Sequence, residues 1–231
     1  MKEVNFYIGN IPSILYGEDS ARIYLFIHGK HGCKEEAMAF AEIVCRKGFQ
    51  VLSVDLPGHG QRKNEIDSFV PWKVVPELQT VLYYAKKHWS RISLRADSIG
   101  AYFSLLAYGM ESLEKGLFVS PVVDMEKLIR DMMGWASVTE SDLREREKIP
   151  TNFGEILDWT YFQYVKKHPI IHWNCRTAIL YAGKDQMTQR QTIDTFTSHF
   201  DCALTVVEEG EHWFHTAEQM EILNQWIEEN C

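Results

Sequence analysis

Short apolar runs alternate with longer amphipathic stretches along most of the chain. Arg22-Ile23-Tyr24-Leu25-Phe26-Ile27 is a nearly unbroken apolar run closed by His28-Gly29, as expected of a strand buried on both faces. Apolar spacing over residues 35–47 predicts a helix that Gly48 ends. Further strands are predicted over 49–54, 92–96, 116–120, 176–182 and 203–208, and further helices over 72–88, 99–110, 189–200 and 218–229. Such alternation predicts an α/β protein, with a mostly parallel sheet and helices on both faces. The opening differs. Val4 to Tyr16 holds two short strand-like pieces separated by Gly9-Asn10 and Pro12, a hairpin that would put an antiparallel edge on the sheet. Residues 124–173 also break the pattern. They are charged and aromatic, carry no convincing strand, and read as a helical insertion within a single domain spanning 1–231.

Composition narrows the function. Apolar residues are 45% and charged residues 24% of the 231, the balance of a soluble globular protein. Lys and Arg number 24 against 32 Asp and Glu, a net charge of −8. An acidic chain repels polyphosphate, so nucleic acid is not an expected partner. No apolar run approaches the roughly 20 residues that span a bilayer, so no membrane is expected either. Met1 to Asn5 lacks the basic-then-apolar layout of a secretion signal, which makes the cytoplasm the default location. The five cysteines (Cys33, Cys45, Cys175, Cys202 and Cys231) are scattered and form no C-x-x-C pair. A zinc ribbon and a dithiol redox site are therefore disfavoured, and no metal or cofactor is expected.

The most informative residues are Ala96-Asp97-Ser98-Ile99-Gly100-Ala101, where an apolar strand turns directly into a helix. A Ser at such a turn sits on a strained bend that lifts its hydroxyl out of the sheet. Small residues are needed two positions before and after it, because strand and helix backbones come close there. Ala96 and Gly100 meet that need, with Ala replacing the first Gly of G-x-S-x-G. An ordinary helix N-cap is the alternative reading of the same residues. A Ser hydroxyl becomes a nucleophile when a base takes its proton, and the base is a His oriented by a carboxylate. In the order Ser, acid, His, two strand ends follow: Gly183-Lys184-Asp185 and Gly210-Glu211-His212. Asp124 is the alternative acid and His215 the alternative base.

Acyl transfer builds charge on a carbonyl oxygen, which needs two N–H donors. Ile99, at a helix N-terminus, is one candidate. The loop His28-Gly29-Lys30-His31-Gly32 offers the other, through the backbone N–H of Lys30, with His28 bracing the loop. Asp55-Leu56-Pro57-Gly58-His59-Gly60 has too few ligands for a metal and lacks a nucleotide-loop pattern; it reads as a structural turn.

Taken in order, His28-Gly29, Asp55 to Gly60, the Ser98 elbow, Gly183-Lys184-Asp185 and Gly210-Glu211-His212 resemble the alpha/beta-hydrolase family over essentially the whole sequence. The chain is most similar to small bacterial carboxylesterase-like members. The resemblance implies about eight strands with the second antiparallel, a triad at Ser98, Asp185 and His212, and a lid formed by 124–173. Aromatic residues crowd that insertion. Some would form its own core, while Trp135, Trp159 and Phe162 are candidates to roof a substrate pocket. The expected activity is hydrolysis of a small or medium acyl ester through an acyl-enzyme. A peptidase or amidase, a thioesterase and a carbon–carbon bond hydrolase would use the same triad. A non-catalytic small-molecule binder is the alternative of another class.

Overall fold

A computed structural model describes residues 1–231. Eight strands form one sheet: β1 (Glu3–Ile8), β2 (Ile11–Tyr16), β3 (Arg22–Ile27), β4 (Gln50–Val54), β5 (Arg91–Asp97), β6 (Gly116–Val119), β9 (Thr177–Ala182) and β10 (Cys202–Val207). Their spatial order is β1-β2-β4-β3-β5-β6-β9-β10. β2 pairs antiparallel with both β1 and β4, and every other pairing is parallel. The hairpin turns at Gly9, whose φ of 61° suits glycine. Pro12 lies inside β2, opposite Tyr7, rather than in the turn.

Along the parallel strands, side chains divide by alternation between two apolar clusters. Ile23, Leu25 and Ile27 of β3, Ile92, Leu94 and Ala96 of β5, Phe118 of β6 and Ile179 of β9 face one side. Covering that side are α2 (Pro71–His88), α3 (Ile99–Tyr108) and α7 (Arg190–His199), through Val74, Leu78, Phe103 and Ile193 among others. Tyr24, Phe26, Leu117, Val119 and Leu180 face the other side, beneath α1 (Ala37–Val44) and α8 (Ala217–Asn230). Gly48 ends the first helical stretch at φ 79°, as its position predicts.

Between β6 and β9 lie α4 (Met125–Trp135), α5 (Glu140–Arg146), β7 (Lys148–Pro150), β8 (Ile156–Asp158) and α6 (Trp159–Lys167). The small antiparallel hairpin β7–β8 corrects the expectation that this stretch has no strand. Three residues per strand, one of them Pro, are too few for a period-2 pattern to be legible. No helix of the chain is long and apolar enough to cross a membrane.

Candidate active site

Strand β5 runs into α3 through Ser98, whose backbone stands at φ 50° and ψ −122°. That is a costly conformation for a residue with a Cβ, and such strain gathers at functional sites. Gly100 shows why the bend needs small residues. A Cβ there would lie 2.5 Å from the His28 carbonyl oxygen and 2.6 Å from that of Ile27. Ala96 is fully buried between Ile27 of β3 and Phe118 of β6, its register partners, so the sheet accommodates a methyl where the usual pattern has Gly.

Two strands away, β9 ends at Ala182 and delivers Asp185. Gly183 permits this approach, since any Cβ would run into the Glu208 carbonyl after β10, and Lys184 N–H donates to Gly210 O at 2.9 Å. His212 follows on the loop so joined. Ser98 Oγ lies 2.8 Å from His212 Nε2, and His212 Nδ1 lies 2.7 Å from Asp185 Oδ2. Asp185 is fully buried while His212 keeps 26% of its side chain exposed. The remaining carboxylate oxygen is also engaged, since Oδ1 accepts the N–H groups of Met187 (2.7 Å) and Thr188 (3.2 Å). Three contacts thus fix the carboxylate, which fixes the imidazole.

The rivals lie elsewhere. Asp124 caps α4 by accepting the Lys127 N–H at 2.9 Å, and His215 Nδ1 donates to Trp213 O at 2.8 Å. Beside Ser98, Gly29 passes so close that a Cβ there would lie 3.2 Å from the Ser98 Cβ. The next amide, that of Lys30, donates to no acceptor in the protein. Ile99 is the first residue of α3, where N–H groups have no partner within the helix. His28 Nε2 accepts the Leu56 N–H at 3.1 Å and Nδ1 donates to Gly29 O at 2.7 Å; it braces the loop.

Structures of known proteins resemble this one over nearly its full length. Est1E from Butyrivibrio proteoclasticus, solved with ferulic acid bound, has a TM-score of 0.80 at 18% identity over 98% of this chain and 96% of its own. Alpha/beta hydrolase domain-containing protein 10 from mouse has 0.80 at 13% identity, over 99% and 98%. The thioesterase domain from the curacin biosynthetic pathway has 0.63 at 14% identity, over 98% and 99%. The chain has the alpha/beta-hydrolase fold. No protein-family model matches the sequence, and neither does any curated protein.

The candidate pocket aromatics occupy different places in the insertion. Phe162 is fully buried in the insertion, with the Arg130 guanidinium 4.9 Å and Lys166 Nζ 4.8 Å from its ring centre. That burial leaves it no face for a ligand and corrects its assignment to the pocket. Trp159 packs beside it, ring centres 6.1 Å apart. Trp135 is 48% exposed, lines a cavity of about 690 Å³ within the insertion, and meets Phe153 edge-on at 5.8 Å. A second cavity of about 710 Å³, between α7 and the start of α4, includes none of Ser98, Asp185 and His212 in its lining.

Three features escape the sequence. Trp213, next to His212, is exposed and stacks on His215. Glu155, at the tip of the β7–β8 hairpin, pairs with Lys30. Arg95 and Asp97 form an ion pair directly below the nucleophile turn. The last left a signal, a charge in the middle of an apolar strand. Burial pushes the Asp97 carboxyl up and the Arg95 guanidinium down from their ordinary values. No group of three or more His, Cys, Asp or Glu side chains is gathered as a metal ion would need.

Proposed function

We propose that this protein is a serine hydrolase that cleaves a small or medium acyl ester through an acyl-enzyme. The observation that carries the reading is the continuous hydrogen-bonded chain from Ser98 through His212 to Asp185. Asp185 holds the proton of the neutral imidazole on Nδ1, which leaves Nε2 free to accept from Ser98 Oγ. Ser98 attacks the carbonyl carbon as its proton passes to His212. The amides of Ile99 and Lys30 receive the developing oxyanion, aided by the positive end of α3. His212 then protonates the leaving alcohol, and water repeats the sequence to release the acid. The imidazolium formed in each half is stabilised by Asp185. No step calls for a metal or an organic cofactor.

The structural neighbours support a hydrolase and leave the bond open, since their names include both an esterase from Pyrococcus furiosus and a thioesterase domain. An amidase or peptidase and a carbon–carbon bond hydrolase use the same groups. A purely binding protein would have no use for a strained serine already joined to a histidine and a buried carboxylate.

A fluorophosphonate probe tests the proposal. Stoichiometric adduct on Ser98 is expected, absent in Ser98→Ala and reduced by several orders of magnitude in His212→Ala. A wild-type protein that stays unlabelled, and inert toward p-nitrophenyl ester, thioester and amide panels, would instead favour the binder. Rising acyl length within the ester panel then measures the pocket.

A further inference from the structure

The loop carrying the Lys30 amide is anchored differently on its two sides. Its ends are pinned to the core. His28 Nε2 holds the Leu56 N–H, the buried Asp55 accepts the Lys34 N–H at 2.8 Å, and Lys34 Nζ reaches the same carboxylate at 3.3 Å. Its middle is a tight turn, with Gly32 N–H on Gly29 O at 3.2 Å and His31 at φ 68°. A positive φ in a residue with a Cβ is strained and persists only when neighbours hold it. On the solvent side that hold comes from one contact, the Lys30 ammonium donating to Glu155 Oε1. No other hydrogen bond or ion pair joins the hairpin, residues 148–158, to residues 28–32.

Glu155 is itself well rooted. Its carbonyl accepts from both the N–H and the Oγ1 of Thr151 at 2.8 Å, and its own N–H donates to Thr151 Oγ1 at 3.0 Å. The carboxylate therefore projects from a closed hairpin tip. The two side chains keep only 34% and 32% of their surface exposed, so the pair is less screened than a fully solvated one.

We infer that Glu155 is a positioning residue for the oxyanion loop: by clasping the Lys30 side chain it sets the Lys30 backbone N–H, so that the β7–β8 hairpin and the oxyanion donor are placed together. The inference rests on the function proposed above. A donor displaced by a fraction of an ångström loses much of its value to the transition state while leaving ground-state binding nearly intact. Losing the clasp therefore lowers kcat and spares KM.

The test uses the full chain and two readouts, ester turnover and the second-order rate of fluorophosphonate labelling at Ser98. Glu155→Gln is expected to lower kcat and the labelling rate by about two- to fivefold, the range set by a partly exposed ion pair, with KM unchanged. About 1 M sodium chloride should slow the wild type by a similar factor and leave Glu155→Gln unaffected. Reversing the pair, Lys30→Glu with Glu155→Lys, should recover most of what Glu155→Lys alone loses. Lys148→Ala removes a different ion pair at the hairpin base, Lys148 to Asp158 at 3.4 Å, and should keep the wild-type rate. The inference is overturned if Glu155→Gln is as fast as the wild type, which would mean that the clasp sets nothing, or faster, which would mean that the freed Lys30 charge acts directly. It is equally overturned if the reversed pair recovers nothing, or if Lys148→Ala slows the enzyme as much as Glu155→Gln. A wild type that fails to label at Ser98 removes the proposed function and this inference with it; normal labelling with an indifferent Glu155→Gln removes the inference alone.

Discussion

His28 is fully buried, and both of its ring nitrogens are committed, Nδ1 as donor to Gly29 O and Nε2 as acceptor from the Leu56 N–H. A second proton would set one N–H against another. Burial, the larger effect, pushes the imidazole down from 6.5 to about 4. Between those values the unfolded chain holds a proton that the folded chain does not, so stability rises with pH across that window. His28 then contributes up to about 3 kcal/mol that is fully present above pH 6.5 and drains away as pH falls toward 4. Urea midpoints taken from pH 4.5 to 7 should slope more steeply in the wild type than in His28→Asn; parallel slopes would show that His28 is protonated in the fold. The residue was legible in the sequence as a brace, because the Gly-rich loop it opens gains meaning beside the Ser98 turn. Its partner Leu56 was not, since the two stand 28 positions apart.

Strand β5 carries the nucleophile turn and an unusual charge. Its apolar face, Ile92, Leu94 and Ala96, lies in one cluster, while Ser93, Arg95 and Asp97 alternate onto the α1 side. Arg95 is 3% exposed and stays charged at any ordinary pH. Asp97 is its counter-ion, with Oδ1 sealed from solvent although the side chain as a whole keeps 28% of its surface. A buried ion pair adds little over an apolar pair, but removing one member strands the other. Asp97→Asn should therefore cost about 3 kcal/mol of unfolding free energy, and Arg95→Met combined with Asp97→Asn should cost less than the single change. A double variant weaker than either single one would show that the two side chains do not act as a pair. The strand's existence was evident from its apolar run. Which residue balanced Arg95 was not, because alternation says which face a side chain takes and not whom it meets there.

The insertion is tied into the whole molecule rather than laid over it. Leu143, Ile149, Leu157 and Phe162 belong to the same apolar cluster as β3, β5 and α3. Shared burial makes cooperative unfolding, so Phe162→Ala should lower stability by about 3–5 kcal/mol within one transition, followed by circular dichroism and by tryptophan fluorescence. Two separated transitions would mean that residues 124–173 melt alone. At this scale the mostly parallel sheet and its antiparallel opening hairpin were readable. Apolar runs ending in Gly-rich loops predict parallel strands whose C-terminal ends carry the chemistry. The β7–β8 hairpin and the burial of Phe162 were not readable, because three-residue strands carry no period and an aromatic residue looks alike in a core and in a pocket.

By itself the sequence determined the alternation of strands and helices, the turn that lifts Ser98, and the order of Ser98, Asp185 and His212. These follow from local patterns: periodicity, small residues at a bend, and the chemistry of side chains at strand ends. Only the tertiary structure decided that Ser98 Oγ and Asp185 Oδ2 reach the two nitrogens of one imidazole, that Arg95 pairs with Asp97, and that Glu155 meets Lys30 across 125 positions. Distances between remote residues depend on how whole faces pack, and no short window of sequence contains that information.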